Sequence, residues 1–337
     1  MIDYRSDTIT RPTAGMLTAM HDAPLGDDVF GEDPTINALE EKISTLFGME
    51  AAIFCPSGTM TNQIAIKCHT QPGDEVICDK LSHIYQYEAG GIAFNAGCSV
   101  RLIEGDRGRI TAKQVIENIN PDDVHKPVST LVSLENTANR GGGSCYDFAE
   151  IEAIRQVCEA NQLHFHLDGA RLFNALVAKK ETPEQYGKAF ESISICLSKG
   201  LGAPVGSVLL GKKEFIRKAR RIRKVFGGGM RQAGSLAAAG IYALDNHVAR
   251  LAQDHLHAKL IADALAQKDF TGNILPVETN IIIFEVKGRF TAAQLAAKFL
   301  ENNIRVIAIS PTQIRIVTHL DVTESMVQKT IDVINSL

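Results

Sequence analysis

The sequence predicts an α/β protein in which a mostly parallel sheet lies between helices, followed by a smaller C-terminal α/β unit. Short apolar runs alternate with helical patterns through the first two-thirds of the chain. Most residues of these runs are apolar, which is typical of parallel strands covered by helices on both faces. After a long helical stretch the order of the elements changes, which indicates the second unit.

In the large unit, predicted strands alternate with helical patterns. Thr111 and Asp147 each precede a Gln or Glu by three residues, which predicts capping boxes at two helix starts. The glycine-rich run 200–206 contains Pro204 and leads into a strand, so it does not match a dinucleotide-binding loop and disfavours a dehydrogenase. The predicted strands span 51–55, 75–78, 99–103, 128–134, 163–167, 192–197 and 207–210.

The C-terminal unit follows a helical stretch over 232–267. We place the boundary near residue 247, which predicts a large domain over 1–247 and a small domain over 248–337. The elements predicted after the helical stretch are a strand at 280–286, a helix at 291–302, short strands near 304–309 and 313–318, and a helix at 323–336.

Composition excludes several classes of protein. With 337 residues, of which 45% are hydrophobic and 22% charged, the chain can bury a large core and is not a disordered protein. A net charge of -4 argues against general nucleic-acid binding, which requires a basic excess. No apolar run approaches the ~20 residues of a membrane helix, and the charged start lacks a signal-peptide pattern. Neither a nucleic-acid nor a membrane partner is expected.

Seven cysteines are scattered along the chain, and no two form a C-x-x-C pair. This spacing argues against zinc-ribbon and thioredoxin-type sites. Several of them stand inside apolar runs, where a free cysteine behaves as a small hydrophobic residue. We therefore expect unpaired cysteines and a cytoplasmic location.

An anion site is predicted where the strand 51–55 ends. Ser57, Gly58 and Thr59 form a small-residue turn before a helical pattern, so free backbone N–H groups and the positive end of a helix dipole lie at the turn. The same turn also suits an ordinary helix cap, and these residues alone leave both interpretations open.

Asp168 follows a predicted strand and lies at the carboxyl edge of the sheet, where open α/β folds bind ligands. His164, His166 and Asp168 share one face because strand side chains alternate. This pattern allows a metal-dependent hydrolase with two histidines and a carboxylate as ligands. No further cluster with ligand spacing accompanies them, and a polar strand end is the simpler interpretation.

Lys199 follows an apolar strand and is itself followed by two glycines within three residues. A lysine at the mouth of a buried strand loses part of its hydration, and its amine can attack a carbonyl. A phosphate-binding turn, a carboxylate and this lysine occur in order along the chain. Pyridoxal phosphate needs all three, as an anchor, a partner for the pyridine nitrogen and an amine for the aldehyde.

Motifs along nearly the whole chain match one known family in the right order. They lie at 3–8, 26–31, 57–59, 82–83, 166–171, 198–202, 227–232 and 315–319. Together they resemble the threonine aldolases, which are pyridoxal-phosphate enzymes with the type I, aspartate-aminotransferase-like fold. Ala138 departs from the pattern, because the family usually carries a histidine at this position.

The resemblance implies how the cofactor, pyridoxal 5'-phosphate, is held. Lys199 corresponds to the lysine that binds its aldehyde, and Asp168 to the partner of its pyridine nitrogen. Arg171 would lie near its phenolic oxygen and the substrate. The phosphate cup corresponds to Ser57, Gly58 and Thr59.

The resemblance also implies the groups around the substrate. His83 corresponds to a histidine that stacks on the cofactor ring and lies close to a substrate hydroxyl. His125 corresponds to a second histidine near the substrate side chain, so Lys199, Asp168 and these two histidines form the expected catalytic set. Arg315, with help from Ser6, resembles a clamp for the substrate carboxylate.

Six of the eight residues at 217–224 are basic, and most are expected to form a solvated helix face. The resemblance singles out Lys224 and Arg231 as residues that reach the cofactor or active site of a neighbouring subunit. It thereby implies a homotetramer, a dimer of dimers with active sites shared between subunits.

The reaction implied by the resemblance is a retro-aldol cleavage of L-threonine or L-allo-threonine to glycine and acetaldehyde. Two other hypotheses remain open from the sequence. One is a different pyridoxal enzyme on the same scaffold, such as an aminotransferase or a β-eliminating lyase. The other is the metal-dependent hydrolase built on His164, His166 and Asp168.

Overall fold

The computed structural model describes all 337 residues, which form thirteen strands, thirteen α-helices and three short 3-10 or π-helical segments. No helix has the length and apolar character that a membrane crossing requires. The strands are β1 (Ile2–Asp3), β2 (Ala51–Cys55), β3 (Glu75–Asp79), β4 (Ser99–Ile103), β5 (Ser129–Glu135), β6 (His164–Gly169), β7 (Ser192–Cys196), β8 (Ser207–Gly211), β9 (Thr271–Ile274), β10 (Ile281–Val286), β11 (Ile304–Arg305), β12 (Ile307–Ser310) and β13 (Gln313–Val317).

Most of the helices lie between these strands in the order that the sequence predicts. They are α1 (Ala14–Asp22), α2 (Pro34–Phe47), α3 (Gly58–His69), α4 (His83–Gln86), α5 (Ala112–Asn118), α6 (Phe148–Ala160), α7 (Leu172–Lys179), α8 (Pro183–Ala189), α9 (Lys213–Val225), α10 (Gly234–Asn246), α11 (Leu251–Ala266), α12 (Ala292–Glu301) and α13 (Glu324–Ser336).

A seven-stranded sheet forms the centre of the large unit, in the order β2-β8-β7-β6-β5-β3-β4. Strand β8 runs antiparallel to both of its neighbours, and the other pairs are parallel. Strands β3, β7 and β8 are buried along their whole length, as expected for a sheet covered by helices on both faces. The predicted α/β class is therefore confirmed.

The register of the central strands brings charged residues to one edge of this sheet. Glu135 ends β5 and pairs with Asp168 of β6, and Asp168 in turn pairs with Ser194 of β7. Lys199 follows β7 by three residues. Because parallel strands end at the same edge, these groups converge although they are far apart in sequence.

The two predicted capping boxes have different outcomes. Thr111 forms its box with Gln114 at the start of α5. Asp147 stands at the predicted helix start, but its carboxylate makes no cap hydrogen bond and instead pairs with Lys179 Nζ at 2.9 Å. Glu150 accepts a hydrogen bond from the Ala112 amide at 2.7 Å, so the expected box at α6 is wrong although the helix start is right.

The helical stretch predicted over 232–267 is divided into α10 and α11. The chain turns after α10 because the buried His247 bonds through Nδ1 to the Leu201 carbonyl oxygen at 2.7 Å. This break coincides with the boundary expected near residue 247.

A four-stranded antiparallel sheet in the order β12-β13-β10-β9 packs with α11, α12 and α13 around a second apolar core. The start of the chain joins this core, because β1 pairs with β11 and the buried Tyr4 hydroxyl bonds to Thr330 at 2.9 Å. The division into 1–247 and 248–337 stays a prediction, and the first strand packs with the second unit.

Candidate active site

A cavity of about 350 Å³ opens at the carboxyl edge of the seven-stranded sheet. Residues from the N-terminal segment, the large unit and the small unit line it, so the site depends on how the two units pack. Its lining contains five of the residues expected from the sequence, and most of the other residues are polar. It is lined by Ser6, Thr8, His83, Tyr87, Asn139, Arg140, Arg171, Lys199, Ile307, Ile309 and Arg315.

Lys199 is placed by the loop that follows β7. Its carbonyl oxygen accepts hydrogen bonds from the Gly202 amide at 2.8 Å and the Thr10 hydroxyl at 3.1 Å. No carboxylate lies within ion-pair distance of its amine, which lines the cavity. The backbone is therefore fixed while the amine stays available for reaction with an aldehyde.

Asp168 lies at the end of β6 and is 2% exposed. Its Oδ2 accepts a hydrogen bond from Asn62 Nδ2 of α3 at 2.9 Å, and its Oδ1 accepts one from the Ala170 amide at 3.1 Å. These contacts fix a buried carboxylate beside the start of α3. Such a group is suited to bind a cationic ring nitrogen.

His83 is held by two carboxylates. Its backbone amide donates to Glu135 Oε2 at 2.8 Å, and its Nδ1 lies 3.0 Å from Glu88 Oε1. Burial lowers the pKa of His83, but the hydrogen bond to Glu88 and the charge of Asp168 outweigh burial and hold the pKa above its ordinary value. Burial and the charge of Asp168 raise the pKa of Glu135 to about 7.

Arg171 forms a buried two-point ion pair with Asp7, with both N–O distances at 2.7 Å. Asn280 Nδ2 also donates to this carboxylate at 3.3 Å. Burial raises the pKa of Asp7, but Arg171 and Lys199 outweigh it and lower this pKa to about 2. The expected ligand-binding arginine is thus oriented by a residue of the N-terminal segment.

Arg315 of β13 reaches the same cavity from the small unit. Its Nη1 donates to Asn139 Oδ1 at 2.8 Å and its Nη2 to the Arg5 carbonyl oxygen at 3.0 Å. Its Nε is buried and has no hydrogen-bond partner. Burial and the nearby charge of Arg171 lower the pKa of Arg315, so the pair of arginines favours an anionic ligand.

Comparisons with known proteins agree with this geometry. Residues 3–289 match the family model described as beta-eliminating lyase. The low specificity L-threonine aldolase of Escherichia coli K12 is 44% identical over 324 residues, covering 96% of this chain and 95% of the relative. The low-specificity L-threonine aldolase 1 of Arabidopsis thaliana is 41% identical, and the alignment covers 98% of this chain and 94% of the relative. The chain belongs to the threonine aldolases of this lyase family.

A solved structure supports the fold of the same family. The threonine aldolase of Leishmania major superposes with a TM-score of 0.87 at 21% identity, over 100% of this chain and 99% of the other. The type I fold and the lyase class expected from the motifs are therefore confirmed. The family implies pyridoxal 5'-phosphate as the cofactor.

The start of α3 fits the phosphate of that cofactor. Ser57 is its N-cap and accepts a hydrogen bond from the Met60 amide at 3.2 Å. A Cβ atom on Gly58 would come within 2.5 Å of Cys196 Sγ, so a larger residue here would force the cysteine side chain or the backbone to move. The Thr61 hydroxyl, one turn on, bonds to Ser194 of β7 at 2.6 Å and fixes the helix against the strand end. The free amine, the buried carboxylate and this helix start together suit pyridoxal phosphate.

Seven expected site residues do not line this cavity. Asp168 and residues 57–59 lie at the sheet edge and at the start of α3, whereas the other three are held elsewhere within the chain. His125 is exposed, and its Nδ1 contacts only Asp123 at 2.8 Å. Arg231 pairs with Asp27 at 2.9 Å, and Lys224 lines a separate surface cavity. Their roles stay predictions, and for Lys224 and Arg231 the prediction already requires a neighbouring subunit.

The hydrolase hypothesis is not supported by the geometry. His164 Nδ1 contacts Glu191 at 2.8 Å, whereas His166 bonds to Ser192 at 2.8 Å and to Asn62 at 3.2 Å. Burial lowers the pKa of His166 to about 4. These two histidines and Asp168 do not converge on one point, because each side chain is held by a different partner.

One residue is an exception to the solvated face expected for most of the basic stretch at 217–224. Arg223 is 4% exposed, pairs with Asp28 at 2.8 Å and donates to the Phe54 carbonyl oxygen at 2.7 Å. It is therefore a structural residue of α9 and does not belong to a solvated face.

Sequence reasoning did not single out Asp7, Asn62, Glu135 or Asn139. Glu135 carries the same signal as Asp168, a charged residue that ends an apolar strand, and that signal identifies it. Asp7 gives no comparable signal, because its partner Arg171 is 164 residues away.

Proposed function

We propose that this chain cleaves L-threonine and L-allo-threonine to glycine and acetaldehyde with pyridoxal phosphate as cofactor. One observation carries the proposal: the unpaired amine of Lys199 faces a cavity that also contains Arg171 and Arg315. An amine for a cofactor aldehyde and cations for an amino-acid carboxylate are the groups that such a reaction requires. The relatives named low-specificity L-threonine aldolase support this choice of substrate.

The residues that would hold the cofactor come mostly from the edge of the large sheet. Bound pyridoxal phosphate supplies a carbonyl that takes up the substrate amine and an electron sink for cleavage of the Cα–Cβ bond. Lys199 would bind the aldehyde and Asp168 the ring nitrogen. The remaining contacts are assigned to Ser57, Gly58, Thr59, His83 and Arg171, with Lys224 and Arg231 from a neighbouring subunit.

Arg315 and Ser6 would hold the substrate carboxylate. The buried Nε of Arg315 has no partner, while its two terminal nitrogens are fixed by Asn139 and by the Arg5 carbonyl. A rigid guanidinium orients a carboxylate as well as neutralising it. Orientation is needed because the scissile bond must stand perpendicular to the cofactor ring.

His83 is placed to accept the proton of the β-hydroxyl group. Its imidazole lines the cavity, and Glu88 orients the ring through Nδ1 and leaves Nε2 free. We assign His125 to the substrate side chain, with its approach dependent on the assembled oligomer. Proton acceptance by His83 requires the neutral imidazole, so the raised pKa predicts loss of activity on the acid side.

We also propose that the active form is a homotetramer, a dimer of dimers in which active sites are shared between subunits. The positions of Lys224 and Arg231 outside the cavity of their own chain support shared sites. Seven unpaired, buried cysteines support a reducing, cytoplasmic location.

The decisive experiment omits any keto-acid acceptor. Purified protein loaded with pyridoxal phosphate is incubated with L-threonine or L-allo-threonine, and glycine and acetaldehyde are measured. Equimolar formation of both products is expected. Turnover only with a keto acid would instead identify an aminotransferase, and ammonia with a keto acid as products would identify a β-eliminating lyase.

A further inference from the structure

A second cavity, of about 760 Å³, lies at the opposite edge of the seven-stranded sheet. The end of α3, the start of β6, the residue before β7 and the residues after β8 form it. Two histidines, two carboxylates and several cationic side chains face it. It is lined by Cys68, His69, His164, Glu191, Lys212, Glu214, Phe215, Arg217, Lys218 and Arg221.

His69, His164 and Glu191 form a compact cluster in this cavity. One ligand atom from each of them lies within 4.8 Å of the other two. His164 Nδ1 and Glu191 Oε2 are 2.8 Å apart, and the two imidazole rings are centred 4.6 Å apart. Ligands on one zinc ion stand roughly 3 to 3.5 Å apart, given metal–ligand distances of about 2.0 to 2.2 Å. The His164 and Glu191 side chains are partly exposed and therefore have room to rotate toward one ion.

His69 is the rigid member of the cluster. It is buried, its Nε2 bonds to Ser192 Oγ at 2.8 Å, and its ring stacks on Phe215 at 4.7 Å. Its Nδ1 has no hydrogen bond in the protein. The Ser192 hydroxyl is itself fixed by His166 Nδ1 at 2.8 Å. A hydrogen bond that fixes the ring and leaves one nitrogen free is the usual environment of a metal-binding histidine.

We propose that His69, His164 and Glu191 bind a late first-row divalent cation such as Zn²⁺, with water in the open position. Two imidazoles and one carboxylate suit this class of ion, whereas Mg²⁺ and Ca²⁺ prefer sites built from oxygen ligands alone. Binding would break the contact between His164 Nδ1 and Glu191 and form a nitrogen–metal and an oxygen–metal bond in its place. Any proton shared between the two groups is released to solvent.

Two of the four cationic side chains around the cluster have partners of their own. Lys218 Nζ donates to the Cys68 carbonyl oxygen at 2.6 Å, and Arg217 lies 3.7 Å from Glu214. Their charges are thus partly engaged. The remaining positive charge favours an anionic ligand, such as hydroxide or chloride, at the open position of the ion.

The site is separate from the proposed catalytic cavity. His69 ends α3, the helix whose first turn is the proposed phosphate cup at Ser57. A helix of this length places the two ends roughly 17 Å apart. The ion would connect α3 to the starts of β6 and β7, and it would therefore stabilise the fold without taking part in threonine cleavage.

The test is zinc binding by the cofactor-loaded protein after removal of metals with a chelator and desalting. Calorimetric titration with Zn²⁺ should give one ion per chain, and Zn²⁺ should raise the melting temperature. We expect His164→Gln and Glu191→Gln each to weaken binding about tenfold or more and to remove the thermal shift. Both residues are partly exposed, so the variants should fold.

Two control variants locate the ion. His21→Gln changes an exposed histidine on α1 and should leave binding unchanged. His83→Asn removes the histidine of the second cluster with metal-ligand spacing, formed with Glu88 and Asp168, and should also leave binding unchanged. Absence of zinc binding, or binding that survives His164→Gln but is lost with His83→Asn, would overturn the proposal.

Discussion

At the scale of single residues, Arg315 tests how the substrate is oriented. Arg315→Lys keeps the positive charge but loses the planar two-point fork. We expect bound cofactor to be retained and kcat/KM for L-threonine to fall roughly tenfold to a thousandfold, the range of one charge-assisted pair plus misalignment. Steady-state kinetics and a parallel cofactor titration measure the two effects separately.

Arg305→Lys is the matched control for this change. Arg305 belongs to β11 of the same unit, is exposed and does not line the cavity. Its replacement should alter neither kinetics nor cofactor content. Loss of cofactor rather than of substrate binding in Arg315→Lys would show that Arg315 is structural.

Lys199 tests the attachment of the cofactor. Lys199→Ala should abolish turnover and the covalent, borohydride-reducible link to pyridoxal phosphate, because no other lysine lines the cavity. Mass spectrometry of the reduced and digested protein locates the link. Detection of the cofactor on a different lysine of the wild-type protein would disprove this assignment.

Glu88 tests the protonation of His83. The raised pKa of His83 means that its neutral form is lost as the pH falls through a value above its ordinary one. Glu88→Gln removes the carboxylate that accepts from Nδ1, so burial then dominates and lowers this pKa. The acid limb of the pH profile of kcat/KM should therefore shift to lower pH.

Tyr85→Phe is a control for the pH profile, because Tyr85 lies on the same short helix but is exposed and does not line the cavity. It should leave the acid limb in place. If Glu88→Gln lowers activity equally at every pH, His83 is not the group whose ionisation limits the reaction.

At the scale of elements, Asp33 joins the starts of two helices. Its Oδ1 accepts from the Thr35 and Ile36 amides at 3.1 Å as the N-cap of α2, and its Oδ2 accepts from the Gly234 amide of α10 at 2.9 Å. Asp33→Ala leaves these buried donors unpaired, and we expect it to lower the free energy of unfolding by roughly 2 to 4 kcal/mol.

Thr323 provides the comparison for this stability effect. It caps only α13, is exposed and accepts one amide, that of Met326, at 3.4 Å. Thr323→Ala should cost about 1 kcal/mol or less. Denaturant unfolding of both variants under one set of conditions measures the difference, and equal losses would show that Asp33 does not couple the two helices.

The strands were predictable because their burial leaves a direct trace in the sequence. The run at 51–55 matches the buried strand β2 at both ends, since an apolar strand stops where polar turn residues begin. The run at 99–103 matches β4 at both ends, although only Ile103 of this edge strand is buried. Contacts across the fold leave no such trace. The pair of Arg171 with Asp7, and the break between α10 and α11 at His247, depend on partners far along the chain. The site was therefore predictable at its strand ends and through family resemblance, but its supporting contacts were not.

At the scale of the whole molecule, the surface near Lys224 and Arg231 supports the proposal that a neighbouring subunit covers it. Phe30 is 72% exposed beneath the Arg231 guanidinium, and Val225 beside Lys224 is 78% exposed. Val29, next to Phe30 in the lining of the same surface cavity, is also exposed, and adjacent exposed apolar side chains are typical of an interface between subunits. This surface is where a neighbouring active site would meet these two cations.

Shared active sites predict that two inactive variants restore each other. Lys199→Ala removes the reacting amine, whereas the double variant Lys224→Ala, Arg231→Ala removes the groups that the neighbour would supply. In a hybrid dimer one site receives both defects and the other receives none. Random assembly makes half of the dimers hybrid, so mixed subunits should recover roughly a quarter of wild-type activity.

Co-expression of the two variants with different affinity tags allows the hybrid to be purified and assayed by acetaldehyde formation. A hybrid between Lys199→Ala and wild type controls for loss of activity on tagging. Half of its sites stay intact whether the active sites are shared between subunits or formed within one chain. If Lys224 and Arg231 acted within their own chain, every site of the test hybrid would carry a defect. A purified hybrid without activity would therefore exclude shared sites, since each of its chains would lack either the reacting amine or its own phosphate contacts.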